Sequence, residues 1–132
     1  MKRIVSIDFG LKRCGLAISN PTQTMALPWT TVEPKQIIST ITKRKEEIEG
    51  IIIGLPLLMS GAKSEMAGRV EAFAKELEIA LQMPVALFDE RLSSKHAEAV
   101  LRETGDSRKS RSAKTDEVAA TLLLQSYLDS RK

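Results

Sequence analysis

Apolar residues recur at every second position near the start of the chain, over Ile4–Ile7 and again over Cys14–Ser19. This two-residue period is typical of a β-strand, in which successive side chains point to opposite faces. The turn between the two runs is basic and is bounded by Gly10 and Gly15, which permit backbone conformations and close approaches that larger residues do not. The pattern therefore predicts a β-hairpin, with Asp8 directly after its first strand.

The rest of the pattern predicts one more strand of this meander, followed by alternating helices and strands. Short continuous apolar runs indicate buried strands, whereas apolar residues three or four positions apart indicate helices. Pro28 is typical of a strand edge that is not fully paired. The expected elements are a strand at Met25–Val32, a helix from Pro34 to Gly50, a buried strand at Ile51–Leu55, a helix after Lys63 to about Gln82, a buried strand at Val85–Phe88, a helix from Ser93 or Ser94 to about Gly105, and a helix from about Thr115.

The order β-β-β-α-β-α-β-α-α predicts an α/β fold, with one five-stranded mixed sheet and helices on both of its faces. The chain has 132 residues, of which 42% are hydrophobic. This length is typical of one domain with a substantial core. We therefore expect residues 1–132 to form a single domain.

Charge and cysteine content narrow the function classes only slightly. Twenty Lys and Arg residues against 17 Asp and Glu give a net charge of +3, which permits a nucleic-acid partner without requiring one. The single cysteine, Cys14, cannot form an internal disulfide, and this favours a reducing, cytoplasmic location. The longest mostly apolar run, Ile51–Met59, is far shorter than the ~18 residues of a membrane span. Asp8 also interrupts the apolar start that a signal peptide would need, so no membrane partner is expected.

Three acids stand out by position, because Asp8 follows the first strand, Glu90 follows the last strand and Asp116 opens the last helix. Parallel strands bring their carboxyl ends to one rim of a sheet, so Asp8 and Glu90 would lie close together, with Asp116 carried over them. Clustered carboxylates repel one another unless cations neutralise them, and Mg²⁺ prefers such oxygen ligands. Two such ions about 3.5–4 Å apart would bind a phosphodiester from both sides.

Two of these acids also have structural explanations that the pattern leaves open. Lys12, Arg13 or a backbone donor would stabilise Asp8 in its apolar strand as well as a metal ion would. Asp116 would be favourable at a helix N-terminus without any further role.

The surroundings of Glu90 leave similar alternatives. Glu90 would be explained equally by an ion pair with Arg91, and the adjacent Asp89 is an alternative metal ligand. His96, the only histidine, is expected to be solvated at the start of a helix. A zinc site or a P-loop is not expected, because the sequence has neither the His and Cys spacing nor the glycine-rich loop that those sites require.

Several motifs, taken together and in order, resemble the YqgF/RuvX family, and the resemblance extends from Ile4 to Leu128. The family has the ribonuclease-H-like fold, and its members are described as nucleases of pre-16S rRNA and, formerly, as homologues of Holliday junction resolvases. The segments that carry the resemblance are Asp8–Ala17, Gly54–Pro56, Asp89–Ser94, Asp116, Ala119–Ala120 and Leu124–Leu128.

The resemblance implies that Asp8, Glu90 and Asp116 are the catalytic acids and hold Mg²⁺ or Mn²⁺. It also implies that basic residues near the same rim contact phosphates, and a basic segment before the last helix is expected to add to them. The nucleic-acid-binding residues expected on these grounds are Lys12, Arg13, Arg91, Arg108, Lys109, Arg111 and Lys114. The loop Leu57–Ser64 lacks the acid that the family often carries there, so no role in metal binding is assigned to it.

The leading hypothesis is a metal-dependent nuclease that processes the ends of pre-16S rRNA in ribosome biogenesis, with the ribosome as a further partner. Aromatic residues make up only 4% of the chain, which favours recognition of nucleic-acid shape over base stacking. Such a protein would act as a monomer or a weak dimer.

Three alternatives stay open at this point. A Holliday junction resolvase would act on branched DNA as a symmetric dimer, whereas a transcription factor would bind nucleic acid without catalysis. A phosphotransferase of the actin and hexokinase type has a first phosphate motif similar to Asp8-Phe9-Gly10, but it needs two such domains and more residues than 132.

Overall fold

A five-stranded mixed sheet organises the computed structural model, which describes residues 1–58, 60–92 and 113–131. The strand order is β3-β2-β1-β4-β5. Strand β1 is central, pairing antiparallel with β2 and parallel with β4, and β5 is parallel to β4. The strands are β1 at Arg3–Asp8, β2 at Cys14–Ser19, β3 at Ala26–Val32, β4 at Ile48–Leu55 and β5 at Val85–Asp89.

Helices cover both faces of this sheet. They are α1 at Ile37–Thr42, α2 at Glu65–Leu81 and α3 at Ala113–Ser130. One hydrophobic core joins α1 and α2 to one face, and a second joins α3 to the opposite face. The α/β class, the mixed sheet and the helices on both faces are therefore confirmed.

Buried polar contacts fix α3 on the sheet. The hydroxyl of Ser6, fully buried in β1, donates to the carbonyl oxygen of Ala120 at 2.6 Å. The side-chain oxygen of Gln125 accepts a hydrogen bond of 2.8 Å from the backbone of Ala26, where the edge strand β3 begins. These contacts position the first turn of α3 at the carboxyl end of β1, one helical turn before Ala120.

The predicted helix from Pro34 to Gly50 is wrong in its second half. Helix α1 ends at Thr42, a 3₁₀ turn follows at Lys45–Glu47, and β4 already begins at Ile48. Ile48 pairs with Arg3 and is buried in the sheet. Its spacing from the isoleucines of α1 fits a helical face, but sheet pairing determines its conformation.

The prediction that Val85–Phe88 is a buried strand is also wrong in part. The strand exists, but β5 lies at an edge of the sheet, and Leu87 is 38% exposed. The other edge strand, β3, contains Pro28 beside a shift in its register with β2, as expected for an edge.

The helix predicted from Ser93 or Ser94 to about Gly105 lies outside the described residues. The polar, basic segment predicted at Asp106–Ala113 also lies outside them, except for Ala113. The last helix is described and begins at Ala113, slightly before the predicted start. Across the described ranges, no helix is long and apolar enough to cross a membrane.

Candidate active site

Asp8 and Glu90 meet at the rim where the parallel strands end. Asp8 closes β1, and Glu90 begins a 3₁₀ turn directly after β5, with β4 between the two strands. Gly54 of β4 makes the contact feasible, because a Cβ atom there would lie 2.6 Å from Oε1 of Glu90 and 2.7 Å from its Cγ. The Glu90 side chain therefore crosses β4 over a residue without a side chain and reaches Asp8, with which it shares a hydrogen bond.

Burial makes the ionisation of this pair unfavourable. The pKa of Asp8 is raised to about 8, first by burial, then by the charge and hydrogen bond of Glu90, and then by the charge of Asp116. The pKa of Glu90 is also raised by burial, and the hydrogen bond from Asp8 opposes this shift. In the hydrogen bond between them, Asp8 donates and the Glu90 carboxylate accepts. The surroundings therefore disfavour the state in which both groups are ionised.

Asp116 reaches the same rim from α3. Gly15, which pairs with Asp8 across the β1–β2 hairpin, lies directly against the backbone carbonyl of Asp116, and an added Cβ atom would overlap it. Helix α3 therefore approaches β2 more closely than any other residue at position 15 would allow. The structure brings all three predicted acids to one end of the sheet.

The Asp116 carboxylate is paired with a base. It accepts a hydrogen bond from Nε of Arg13, which lies in the turn between β1 and β2. The buried thiol of Cys14 closes this turn, since it donates to the carbonyl oxygen of Gly10 and accepts from the Gly10 amide. Burial raises the pKa of the thiol to about 11, so Cys14 stays protonated, and Lys12 is exposed at the tip of the turn.

Arg91 forms a separate ion pair on this rim. Its guanidinium donates to both carboxylate oxygens of Asp89, at 3.0 Å from Nε and 2.6 Å from Nη2. These hydrogen bonds lower the pKa of Asp89. Gly61 in the loop after β4 lies close to the guanidinium, since an added Cβ would be 3.6 Å from Nη1. Asp89 is therefore engaged by Arg91, whereas Glu90 faces Asp8.

The predicted site residues divide into two groups. Lys12, Arg13 and Arg91 are described and lie on the segments that carry the acids. Residues outside the described side chains are Arg108, Lys109, Arg111, Lys114 and also His96. Sequence reasoning missed the pairing of Arg13 with Asp116 and the role of Gly54, whereas a close approach of another backbone at Gly15 was expected. Gly15 and Gly54, each within a predicted strand, were the available signal for close approach.

The carboxylates of Asp8, Glu90 and Asp116 are suitable ligands for a hard divalent cation, although they are not arranged as a complete metal site. Carboxylate oxygens are the ligands that Mg²⁺ and Mn²⁺ prefer, and a half-buried acid cluster is neutralised by such an ion. In the described ranges, no three His, Cys, Asp or Glu side chains stand as a group that could hold a metal. The Asp116 carboxylate is hydrogen-bonded to Arg13, and Glu90 is hydrogen-bonded to Asp8.

The sheet order and the helices on both faces define the class of the fold, which is ribonuclease-H-like. Among solved structures, T. thermophilus RuvC in complex with a Holliday junction substrate superimposes with a TM-score of 0.60. The match covers 100% of this chain and 98% of that chain at 12% sequence identity. It confirms the ribonuclease-H-like fold that the resemblance implied.

Sequence comparisons specify the family. The family model described as "RuvX: Holliday junction resolvase" matches residues 2–130. A protein of Protochlamydia amoebophila is 43% identical over 98% of this chain and 94% of its own length, and one of Rickettsia peacockii is 39% identical over 98% and 87%. Both carry the name "Putative pre-16S rRNA nuclease". The chain therefore belongs to the RuvX family, a family of nucleases, as its motifs predicted.

Proposed function

We propose that residues 1–132 form one catalytic domain that hydrolyses phosphodiester bonds in structured RNA, with the ends of pre-16S rRNA as its substrate. The observation that supports this most strongly is that Asp8, Glu90 and Asp116 lie at one end of the sheet, where the charges of both Glu90 and Asp116 act on Asp8. The names of relatives at 39–43% identity support the substrate. The protein would act where pre-rRNA and ribosomes are made, in the cytoplasm.

Asp8, Glu90 and Asp116 would hold Mg²⁺ or Mn²⁺ in this proposal. When bound, such an ion supplies charge stabilisation at the phosphate and a more acidic water. Asp8 would offer the ion the oxygens of a half-buried carboxyl group, and Glu90 would offer the adjoining carboxylate oxygens. The burial of Asp8 limits access of bulk water and so strengthens its electrostatic interactions.

Basic residues around the acids would hold the nucleic-acid backbone. Lys12 is exposed beside Arg13, and the Arg91 side chain is 36% exposed while Asp89 holds its guanidinium in place. Contacts of this kind bind phosphates, depend strongly on salt and carry little sequence information. The substrate would then be selected by its shape, in agreement with the low aromatic content.

A second candidate is resolution of Holliday junctions, which the description of the matching family model favours. That reaction places two cuts symmetrically and requires two active sites related by a two-fold axis. RNA processing needs one active site, which a monomer supplies.

The test compares substrates and metals directly. The wild-type protein is incubated with labelled pre-16S RNA and with a four-way DNA junction, in Mg²⁺, Mn²⁺ or EDTA. Metal-dependent cleavage of the RNA near the mature ends, with little junction cleavage, is expected. Paired symmetric cuts in the junction would favour the resolvase instead. Equal cleavage by an identically purified Asp8→Asn protein would identify a contaminant and overturn the enzyme proposal.

A further inference from the structure

The ion pair between Arg13 and Asp116 places a positive charge on one of the three acids that would receive a metal ion. We propose that Arg13 is an exchangeable counter-ion. It neutralises Asp116 in the metal-free protein, and a divalent cation displaces it toward the phosphate of the nucleic acid. Metal and substrate then bind cooperatively, because each favours the same position of Arg13. This inference rests on the proposed metal-dependent nuclease.

The two partners differ in their freedom to move. The Asp116 side chain is 23% exposed, and its helix is fixed by the contact with Gly15 and by the hydrogen bond between Ser6 and Ala120. The Arg13 side chain is 47% exposed and lies in the turn of the hairpin. Arg13 is therefore the partner that can leave, and its long side chain can turn outward by rotation about its own bonds.

The backbone of the turn would not need to change during this exchange. Cys14 and Gly10 hydrogen-bond each other in both directions, at 3.5 Å and 3.4 Å, and Gly10 lies against the Arg13 carbonyl. The turn is therefore a fixed base from which Arg13 points toward either the acids or the substrate. Lys12, exposed next to it, adds a second positive charge to the turn.

The ion pair between Arg91 and Asp89 is a useful comparison, because this arginine is held in place on the same rim. Its guanidinium is held by two carboxylate oxygens, and the Arg91 amide donates to Asp89 as well. Asp89 is not one of the three acids, so cation binding leaves this pair intact. Exchange is assigned to Arg13 because its partner is itself a proposed metal ligand.

The opposite role for Arg13 is also physically reasonable, and the two roles differ in sign. Carboxylates that ligate metals are often oriented by a hydrogen bond from a neighbouring group, and loss of that group weakens metal binding. If Arg13 instead competes with the cation, its loss strengthens metal binding, because Asp116 no longer has to be released. The direction of the change therefore decides between the two roles.

The first measurement is the Mn²⁺ affinity by calorimetry, for the wild type and for Arg13→Gln. Arg13→Gln is expected to bind Mn²⁺ about 5–10-fold more tightly. The matched control is Arg44→Gln, which removes an arginine paired with Glu47 at 2.8 Å and far along the chain from the acids. An unchanged or weaker Mn²⁺ affinity in Arg13→Gln overturns the exchange alone. Absence of Mn²⁺ binding by the wild type overturns the proposed function as well.

The second measurement compares the RNA affinity of the wild type and of Arg13→Gln, once in EDTA and once in Ca²⁺. A gel confirms that the RNA stays intact in both conditions. In EDTA, Arg13 is held by Asp116, so Arg13→Gln is expected to bind RNA within about twofold of the wild type. In Ca²⁺, the released Arg13 contributes, and the variant is expected to bind about 5-fold or more weakly. Equal losses in both conditions would show that Arg13 binds RNA whether or not a cation is present, and would overturn the exchange.

Discussion

The Asp8→Asn protein is expected to cleave its substrate about 10³-fold or more slowly than the wild type, and yet to unfold at a higher temperature at pH 8. In the proposed mechanism the activity falls because the amide replaces a carboxylate that would bind the metal ion. The stability rises because the same substitution removes a buried acid that burial and two neighbouring carboxylates disfavour in its charged form.

The stability gain depends on pH in a defined direction. The pKa of Asp8 is raised to about 8 in the folded protein, whereas a free aspartate has a pKa of about 3.9. Between these values the folded protein retains a proton that the unfolded chain has lost, so the stability of the wild type falls as pH rises from about 4 to about 8. Asparagine does not titrate, and its advantage is therefore largest at and above pH 8 and small at pH 4.

Thermal melts of both proteins in EDTA, at pH 5 and pH 8, measure this effect. A gain of a few degrees at pH 8, roughly 1–2 kcal/mol, is expected, with a smaller gain at pH 5. Glu76→Gln, which changes an exposed acid on α2, is the control and should show no such trend. A lower melting temperature for Asp8→Asn at pH 8 would make Asp8 a structural ion-pair partner.

Gly15→Ala is expected to be the most damaging small substitution near the site. Its Cβ would overlap the backbone carbonyl of Asp116, so α3 has to withdraw from β2. The withdrawal strains the buried hydrogen bond between Ser6 and Ala120 and shifts Asp116 away from Asp8. A stability loss of about 2–4 kcal/mol and a loss of cleavage of about 100-fold are expected.

Gly68→Ala is the matched control, because nothing lies within 4 Å of the position that its Cβ would occupy on the exposed face of α2. This change is expected to raise the free energy of unfolding by about 0.5–1 kcal/mol through helix propensity, with cleavage unchanged. Denaturant unfolding and RNA cleavage assays check both variants. A Gly15→Ala protein as stable and active as the wild type would refute the close packing of α3 on β2.

Local pattern was sufficient to predict most of the fold. The alternation in Ile4–Ile7 and Cys14–Ser19 and the apolar stripe of α2 reflect burial by immediate neighbours, and these elements are confirmed. The spacing of Ile48 from Ile41 fits a helical face and so predicts a helix at this position. Its actual conformation depends on pairing with β1, more than forty residues earlier in the chain, which local periodicity does not encode.

The site was predicted as a set of acids but not as an electrostatic arrangement. The positions of Asp8, Glu90 and Asp116 at element ends indicated one rim, because topology alone determines where strands end. Which of the basic residues Lys12, Arg13 and Arg91 pairs with which acid depends on how far each side chain extends and on where a glycine leaves room for it. The spacing of residues in the sequence does not specify either of these. The assignment of Asp8, Glu90 and Asp116 as catalytic and metal-binding residues stays a prediction.

The central claim is that Asp8, Glu90 and Asp116 act together as one divalent-cation site, and Mn²⁺ titration of single variants tests it most directly. Glu90→Gln and Asp116→Asn are each expected to weaken Mn²⁺ binding about 10-fold or more. Asp89→Asn, which changes the neighbouring acid held by Arg91, should keep an affinity close to that of the wild type. A wild type that binds no Mn²⁺, or an Asp89→Asn protein that loses binding while Glu90→Gln keeps it, would contradict the account.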